Sequence, residues 1–255
     1  MNSFFHAIGF LSRIPVPVRE NRDDWEKSPM WYPLVGLILG ALITLFDMLI
    51  AGWFPAFVRA VMDAAFWFFL TGGLHLDGLM DTADGLGAWR DRERTLQIMK
   101  DSRVGAMGVL AGVLSILFKV SLLASLPAAN PLAVSVIAAT VLGRTAVLGM
   151  MYAFPYIQEH GTGTGMKEKL TVRRFLFALL CMVIIVIFLT RWWAGVLLGA
   201  AAFVVLCFGW QVTKRLGGCT GDVYGAVIEG IEILTLCILV VPGVSVHAID
   251  LAPPW

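Results

Sequence analysis

The chain has 255 residues, 58% of them hydrophobic, and a formal net charge of +1; its mean hydropathy is +0.81. It is far more apolar than a soluble domain, and it has no bulk positive field to draw nucleic acid. Its long apolar runs point to a single all-α, polytopic membrane domain over residues 1–255, with residues 1–30 as a cytoplasmic or interfacial N-terminal segment.

Phe4, Ile8 and Leu11 share a helical face, so residues 2–12 read either as an interfacial helix or as an ordinary packed terminal helix. Ile14-Pro15-Val16-Pro17 ends it. No signal peptide is evident, because the first strong apolar run begins near Met30 and is too long for one. Seven spans follow, at 31–54, 56–76, 104–126, 131–154, 173–190, 192–212 and 225–247. Each is near the roughly 20 residues that cross a hydrocarbon core. The second contains Arg59 and Asp63, spaced to pair near one end. The fifth and sixth meet at Arg191-Trp192-Trp193, a tight turn with interfacial anchors. Gly36 with Gly40, and Gly108 with Gly112, form GxxxG pairs that close helix packing explains. Cys181, Cys207, Cys219 and Cys237 have no CxxC spacing, and three lie in apolar runs as small hydrophobes.

The basic residues test this layout. Arg13, Arg19, Arg22 and Lys27 precede the first span; Arg90, Arg92, Arg94, Lys100 and Arg103 follow the second. Lys167, Lys169, Arg173 and Arg174 follow the fourth, and Lys214 and Arg215 the sixth. All fall on one side, against only Arg59 and Arg191 on the other. Positive charge stays inside, which predicts a cytoplasmic N-terminus, a C-terminus outside and a multi-pass protein of the cell membrane.

The segment TGGLHLDGLMDTADGL, residues 71–86, lies on the cytoplasmic side of this layout. Asp77, Asp81 and Asp84 are spaced i, i+4 and i+7, on one helical face. They repel one another unless a cation, a proton or basic groups join them. Carboxylates beside a bilayer are costly and usually functional. A second acidic segment, GGCTGDVYGAVIEGIEIL at 217–234, places Asp222 at the same face, with Glu229 and Glu232 deeper. Carboxylate oxygens suit Mg²⁺, and the Cys/His spacing of zinc sites is absent.

Lys100-Asp101-Ser102-Arg103 closes the aspartate-rich loop. Lys100, Ser102 and Arg103 are candidate phosphate ligands and Asp101 a further metal ligand, although charge anchoring alone also explains the basic pair. Lys119 and Arg144 lie deep in spans, where they either neutralise the acids or bind substrate phosphate. His75 reads as a ligand, a general base or a hydrogen-bonded interfacial histidine. The glycine-rich stretch HGTGTGMKEK, residues 160–169, is a candidate phosphate cradle with Lys167 and Lys169, or a plain connector. Asp47 and Asp63 read either as helix-packing partners or as acids near an interface. These residues alone indicate metal-dependent phosphoryl-group chemistry at a cytoplasmic membrane face. A cation-coupled transporter would need paired halves that the chain does not show. A CDP-alcohol phosphotransferase would need Ala-Arg soon after Asp77-Gly78, where Leu79-Met80-Asp81 stands.

FLSRIPVP, GGLHLDGLMDTADGL, IMKDSRVGAMGVLA and GGCTGDVYGAVIE together resemble the cobalamin synthase family, the adenosylcobinamide-GDP ribazoletransferases, over nearly the whole length. HGTGTG departs from the Gly-Leu-Gly type of sequence that the family more often shows there. The resemblance implies a Mg²⁺-dependent integral-membrane transferase that joins α-ribazole, or its 5′-phosphate, to adenosylcobinamide-GDP and releases GMP. It implies in-line attack by the ribazole 3′-hydroxyl. Asp77, Asp81, Asp84 and Asp222 would hold the metal, Lys100 and Arg103 would steady the leaving phosphate, and Glu229 would accept the hydroxyl proton. The lipid bilayer is the remaining expected partner; association into a homo-oligomer is left open.

Overall fold

The structure is a computed structural model and describes residues 1–128, 130–158, 161 and 163–241. In chain order the elements are α1 (Asn2–Leu11), α2 (Arg22–Glu26), a 3-10 turn (Ser28–Trp31), α3 (Tyr32–Ile50), α4 (Ala56–Thr71), α5 (Leu74–Gly87) and α6 (Arg92–Met99). Then come α7 (Ala106–Ser125), α8 (Asn130–Ala153), α9 (Met166–Lys169), α10 (Val172–Thr190), a second 3-10 turn (Arg191–Trp193), α11 (Ala194–Leu216) and α12 (Gly221–Val240). There is no strand among the described residues, only an isolated bridge between Tyr156 and Cys219.

Five helical segments are long and apolar enough to cross a membrane: Ser28–Ile50, Ala106–Ser125, Asn130–Ala153, Val172–Leu216 and Gly221–Val240. The sequence layout of seven differs at the second span. The predicted second span stops at Thr71, where the chain bends by 89° between α4 and α5. Gly72 and Gly73 make the corner with φ of +64° and +72°, a region open to glycine at little steric cost. The aspartate triplet therefore sits on its own short helix, nearly perpendicular to α4. At most, α4 and α5 together make one broken crossing. The predicted fifth and sixth spans are the two limbs of one long apolar run, interrupted at Arg191 with φ +49°. Just before α10, Lys167 Nζ donates to the Phe154 carbonyl at 2.5 Å. Just after α11, the Cys219 N–H donates to the Pro155 carbonyl at 2.8 Å. Both ends of the run thus meet the same loop, so its two limbs run out and back about the predicted Arg191-Trp192-Trp193 turn. Residues 242–247 of the last predicted span lie outside the described residues.

At the centre stands α8, buried on nearly all sides and packed by α3, α10, α11 and α12. The GxxxG positions mark close contacts. A Cβ on Gly36 would lie 2.5 Å from the Thr140 carbonyl oxygen, and one on Gly40 would lie 2.7 Å from Ile137 Cα. Gly112 meets Met80, which brings α7 onto α5. Outward faces of α10 and α11 carry exposed Leu180, Phe188, Phe203 and Leu206, a surface suited to lipid. At the N-terminus, Ile8 and Leu11 of α1 are buried against the body, the packed alternative of the two.

Hydrogen bonds gather the basic segments at one end of the bundle. Lys169 pairs with Asp23 at 3.2 Å, Arg92 donates to the Leu216 carbonyl at 2.7 Å, and Arg215 donates to the Leu86 carbonyl at 3.1 Å. The same-side grouping read from charge is therefore a feature of the fold. Arg59 bonds Asp47 of α3 at 2.6 Å, in place of the expected pairing with Asp63. The described cysteines are all free, and Cys219 is buried.

Candidate active site

The site begins where α5 crosses α12. A Cβ on Gly78 would lie 2.8 Å from the Asp222 carbonyl oxygen, and one on Gly225 would lie 3.1 Å from that of His75. Two glycines thus let the backbones touch, and this contact sets Asp77 and Asp222 beside each other. Asp81 feels the charges of Asp77, Asp222 and Asp84 together, so the two acidic segments form one negative cluster. Among the described residues, no lysine or arginine forms an ion pair with Asp77, Asp81 or Asp222. Asp222 accepts a 3.3 Å hydrogen bond from the Thr220 hydroxyl and lies in the field of Lys100.

Asp84 has a different setting. One carboxylate oxygen accepts the Gly105 N–H and the other the Gly108 N–H, each at 2.7 Å. It therefore caps α7, satisfying backbone donors that open the helix. Neither Gly105 nor Gly108 has room for a Cβ beside it. Local sequence does not show this task, because the capping residue lies 21 and 24 positions upstream of its donors.

Of the basic loop, Lys100 turns toward Asp222. Asp101 instead binds Arg103, accepting its Nε at 3.1 Å and a terminal guanidinium N–H at 2.8 Å. Those bonds hold the Asp101 carboxyl down at about 2. Ser102 is exposed, and Arg103 is 88% exposed.

Deeper in the bundle, Lys119 Nζ lies 2.9 Å from Glu229 and 2.5 Å from Glu232, and Arg144 pairs with Glu232. Ser115 donates to Glu229 at 2.9 Å, and Lys119 also sits 4.5 Å over the Trp67 ring. These four charged side chains are at most 3% exposed. Two cations and two anions thus close on themselves, the neutralising arrangement of the two weighed for Lys119 and Arg144. The structure places Glu229 inside this quartet, with Lys119 and Ser115 on its carboxylate. His75 links quartet and cluster: its Nδ1 lies 3.5 Å from Arg144, while its buried Nε2 has no hydrogen-bond partner among the described residues.

Three cavities meet at the carboxylates. The first, of about 960 Å³, is walled by Phe10, Arg13, Trp25, Leu74 and Asp77. The second, of about 130 Å³, is bounded by Phe10, Leu74, His75, Asp77, Asp222 and Tyr224. The third, of about 460 Å³, is lined by Lys100, Gln158, Thr220 and Asp222. Phe10, Leu74 and Asp77 belong to the first two, and Asp222 to the last two. Asp77 and Asp222 therefore each border two of the three cavities. Arg13, Gln158 and Tyr224 line these cavities from distant segments, with no spacing signal in the sequence. In the glycine-rich loop, Lys167 holds the Phe154 carbonyl and Lys169 holds Asp23, so both cations are engaged by protein groups. His160 and Thr162 of that loop lie outside the described residues.

Among the described residues, no group of three acid, histidine or cysteine side chains encloses a metal position by itself. The donor set nonetheless fits Mg²⁺, which is commonly held by one or two carboxylates with water and substrate oxygens completing its shell. Asp77 and Asp222, which border the cavities, and Asp81, which interacts with both, supply oxygen donors that form no ion pair among the described residues.

Residues 3–240 match the family model described as Cobalamin-5-phosphate synthase. An adenosylcobinamide-GDP ribazoletransferase of Brevibacillus brevis is 43% identical, over 94% of this chain and 98% of the relative. One of Desulfitobacterium hafniense is 42% identical, over 92% and 95%. One of Pseudomonas savastanoi is 36% identical, over 94% and 99%. No solved structure matches. With acidic segments, glycine crossings and membrane helices all inside the matched region, the chain belongs to the cobalamin-5-phosphate synthase family.

Proposed function

We propose that this chain transfers the adenosylcobinamide-phosphate group of adenosylcobinamide-GDP to α-ribazole or α-ribazole 5′-phosphate, releasing GMP. The reading rests on family membership together with one observation: Asp77 and Asp222 each border two of three neighbouring cavities. The site faces the cytoplasm in this reading, which the grouping of basic segments at its end supports.

The reaction forms a bond from the ribazole 3′-oxygen to the phosphorus carrying cobinamide. It breaks the bond from that phosphorus to the bridging oxygen, whose electron pair leaves with GMP. The hydroxyl proton passes to a carboxylate of the α5–α12 cluster and on to water. Glu229 is a poorer acceptor, since Lys119 and Ser115 already occupy it. One or two of the Asp77, Asp81 and Asp222 carboxylates, with water and substrate oxygens, would hold Mg²⁺, which would offset the negative charge of the pyrophosphate. Asp84 serves by fixing α7 against α5, and Lys100 would steady the leaving phosphate. The cavities beside these carboxylates would position both reactants, which is most of what phosphoryl-type transfer asks of a protein.

The test is GMP release by the purified protein in mild detergent. Release should require both substrates and Mg²⁺, and a chelator should stop it. Asp81→Ala should lose turnover while staying folded; near-normal activity from that variant would refute the metal site.

A further inference from the structure

The third cavity, between α6, residues Ile157, Gln158 and Gly161, and the start of α12, differs in chemistry from the first. Phe10, Trp25, Leu74 and Met80 make the first largely apolar and aromatic. Lys100, Gln158, Thr220 and Asp222 give the third its polar wall. Lys100 is exposed there and forms no ion pair among the described residues. Gln158 is oriented by its neighbours. Its side-chain oxygen accepts the Tyr156 hydroxyl at 2.9 Å and the Gly221 N–H at 3.4 Å. With its acceptor committed, the amide can offer the cavity only N–H donors.

We propose that this third cavity is the subsite of the leaving nucleotide, with Lys100 facing its phosphate and the Gln158 amide donating to an acceptor of the nucleotide. The assignment rests on the transferase reading above. Of the groups in that reaction, GMP combines a phosphate with a base rich in exposed acceptors; guanine O6 and N7 both accept. The benzimidazole of ribazole has no exocyclic acceptor and suits the aromatic cavity instead. Asp222, which lines both the second and third cavities, then lies between the departing nucleotide and the reacting centre. A volume of about 460 Å³ lies within the usual range for small-molecule pockets.

Direct binding of radiolabelled GMP to the purified full-length protein, by equilibrium dialysis, tests this separately from turnover. Lys100→Met and Gln158→Glu are the informative variants. The second keeps the acceptor used by Tyr156 and Gly221 but replaces the donors with negative charge. Each should weaken GMP binding by about tenfold or more, as expected for loss of a hydrogen bond to a charged or oriented group. Lys100→Arg should retain binding. Both weakened variants should raise the KM for adenosylcobinamide-GDP and leave the KM for α-ribazole within about twofold. No GMP binding by the parent, equal binding by parent and variants, or a change confined to the ribazole KM would overturn the subsite. Failure of turnover alongside Lys100-dependent GMP binding would instead count against the reaction and leave the nucleotide subsite standing.

Discussion

Replacing Lys119 with methionine removes one cation from a quartet that has no access to water. Its ammonium is 0% exposed and lies 2.9 Å from Glu229 and 2.5 Å from Glu232. The variant leaves two carboxylates facing Arg144 alone, an uncompensated buried charge. Breaking such a pair from one side typically costs about 3–5 kcal/mol. A chain of this size shifts its Tm by about 2–4 °C per kcal/mol, so Lys119→Met should unfold about 6–20 °C lower. The companion variant Lys119→Met/Glu229→Gln restores neutrality, with Arg144 and Glu232 still paired, and should regain most of the loss. The assay is thermal unfolding in one detergent, followed by size-exclusion profile, for the parent and both variants. A single variant within about 2 °C of the parent would refute the reasoning. So would a double variant no more stable than the single one. Either result would mean that the quartet is hydrated or already neutral by another route.

The acids of α5 should separate by role. Asp84→Asn keeps one acceptor but turns an amide against a buried backbone N–H, costing about 1–3 kcal/mol of stability; Asp81→Asn should keep its Tm and lose turnover. Parallel melting and activity curves check this, and equal Tm losses for both would contradict it. Gly78→Ala pushes a Cβ to 2.8 Å from the Asp222 carbonyl, so α5 and α12 must part. That overpacking should cost about 1–3 kcal/mol and lower turnover, read from the same two measurements. Asp101 is depressed to about 2 by Arg103, so its contribution is present at neutral pH and is lost only as pH falls toward about 2. The acid limb of activity between pH 7 and 5 should therefore be unchanged in Arg103→Gln, as a pH–rate profile of parent and variant would show.

Much of the architecture was legible because membrane burial writes itself into composition. A lipid-crossing helix must be apolar along its length, and charged segments must collect outside the hydrocarbon. The acidic segments were visible for the same reason, since six carboxylates beside a bilayer need an explanation. Roles within those segments were not visible. Asp77, Asp81 and Asp84 look equivalent by spacing, yet Asp84 caps a distant helix while Asp77 borders two cavities. Glu229 and Lys119 both look available until their contact shows them bound to each other.

The sequence by itself determined the class of solvent, the helical fold, the basic end of the molecule and the oxygen-rich chemistry there. These depend on local composition and period, which a chain carries residue by residue. Only the tertiary structure decided which acids are paired. It alone showed that the corner at Gly72-Gly73 turns α5 across α12, and that Lys100 and Gln158 share a cavity. Those facts come from contacts between residues far apart in sequence, and small differences in distance decide whether a carboxylate caps a helix, neutralises a cation or stands open to a substrate.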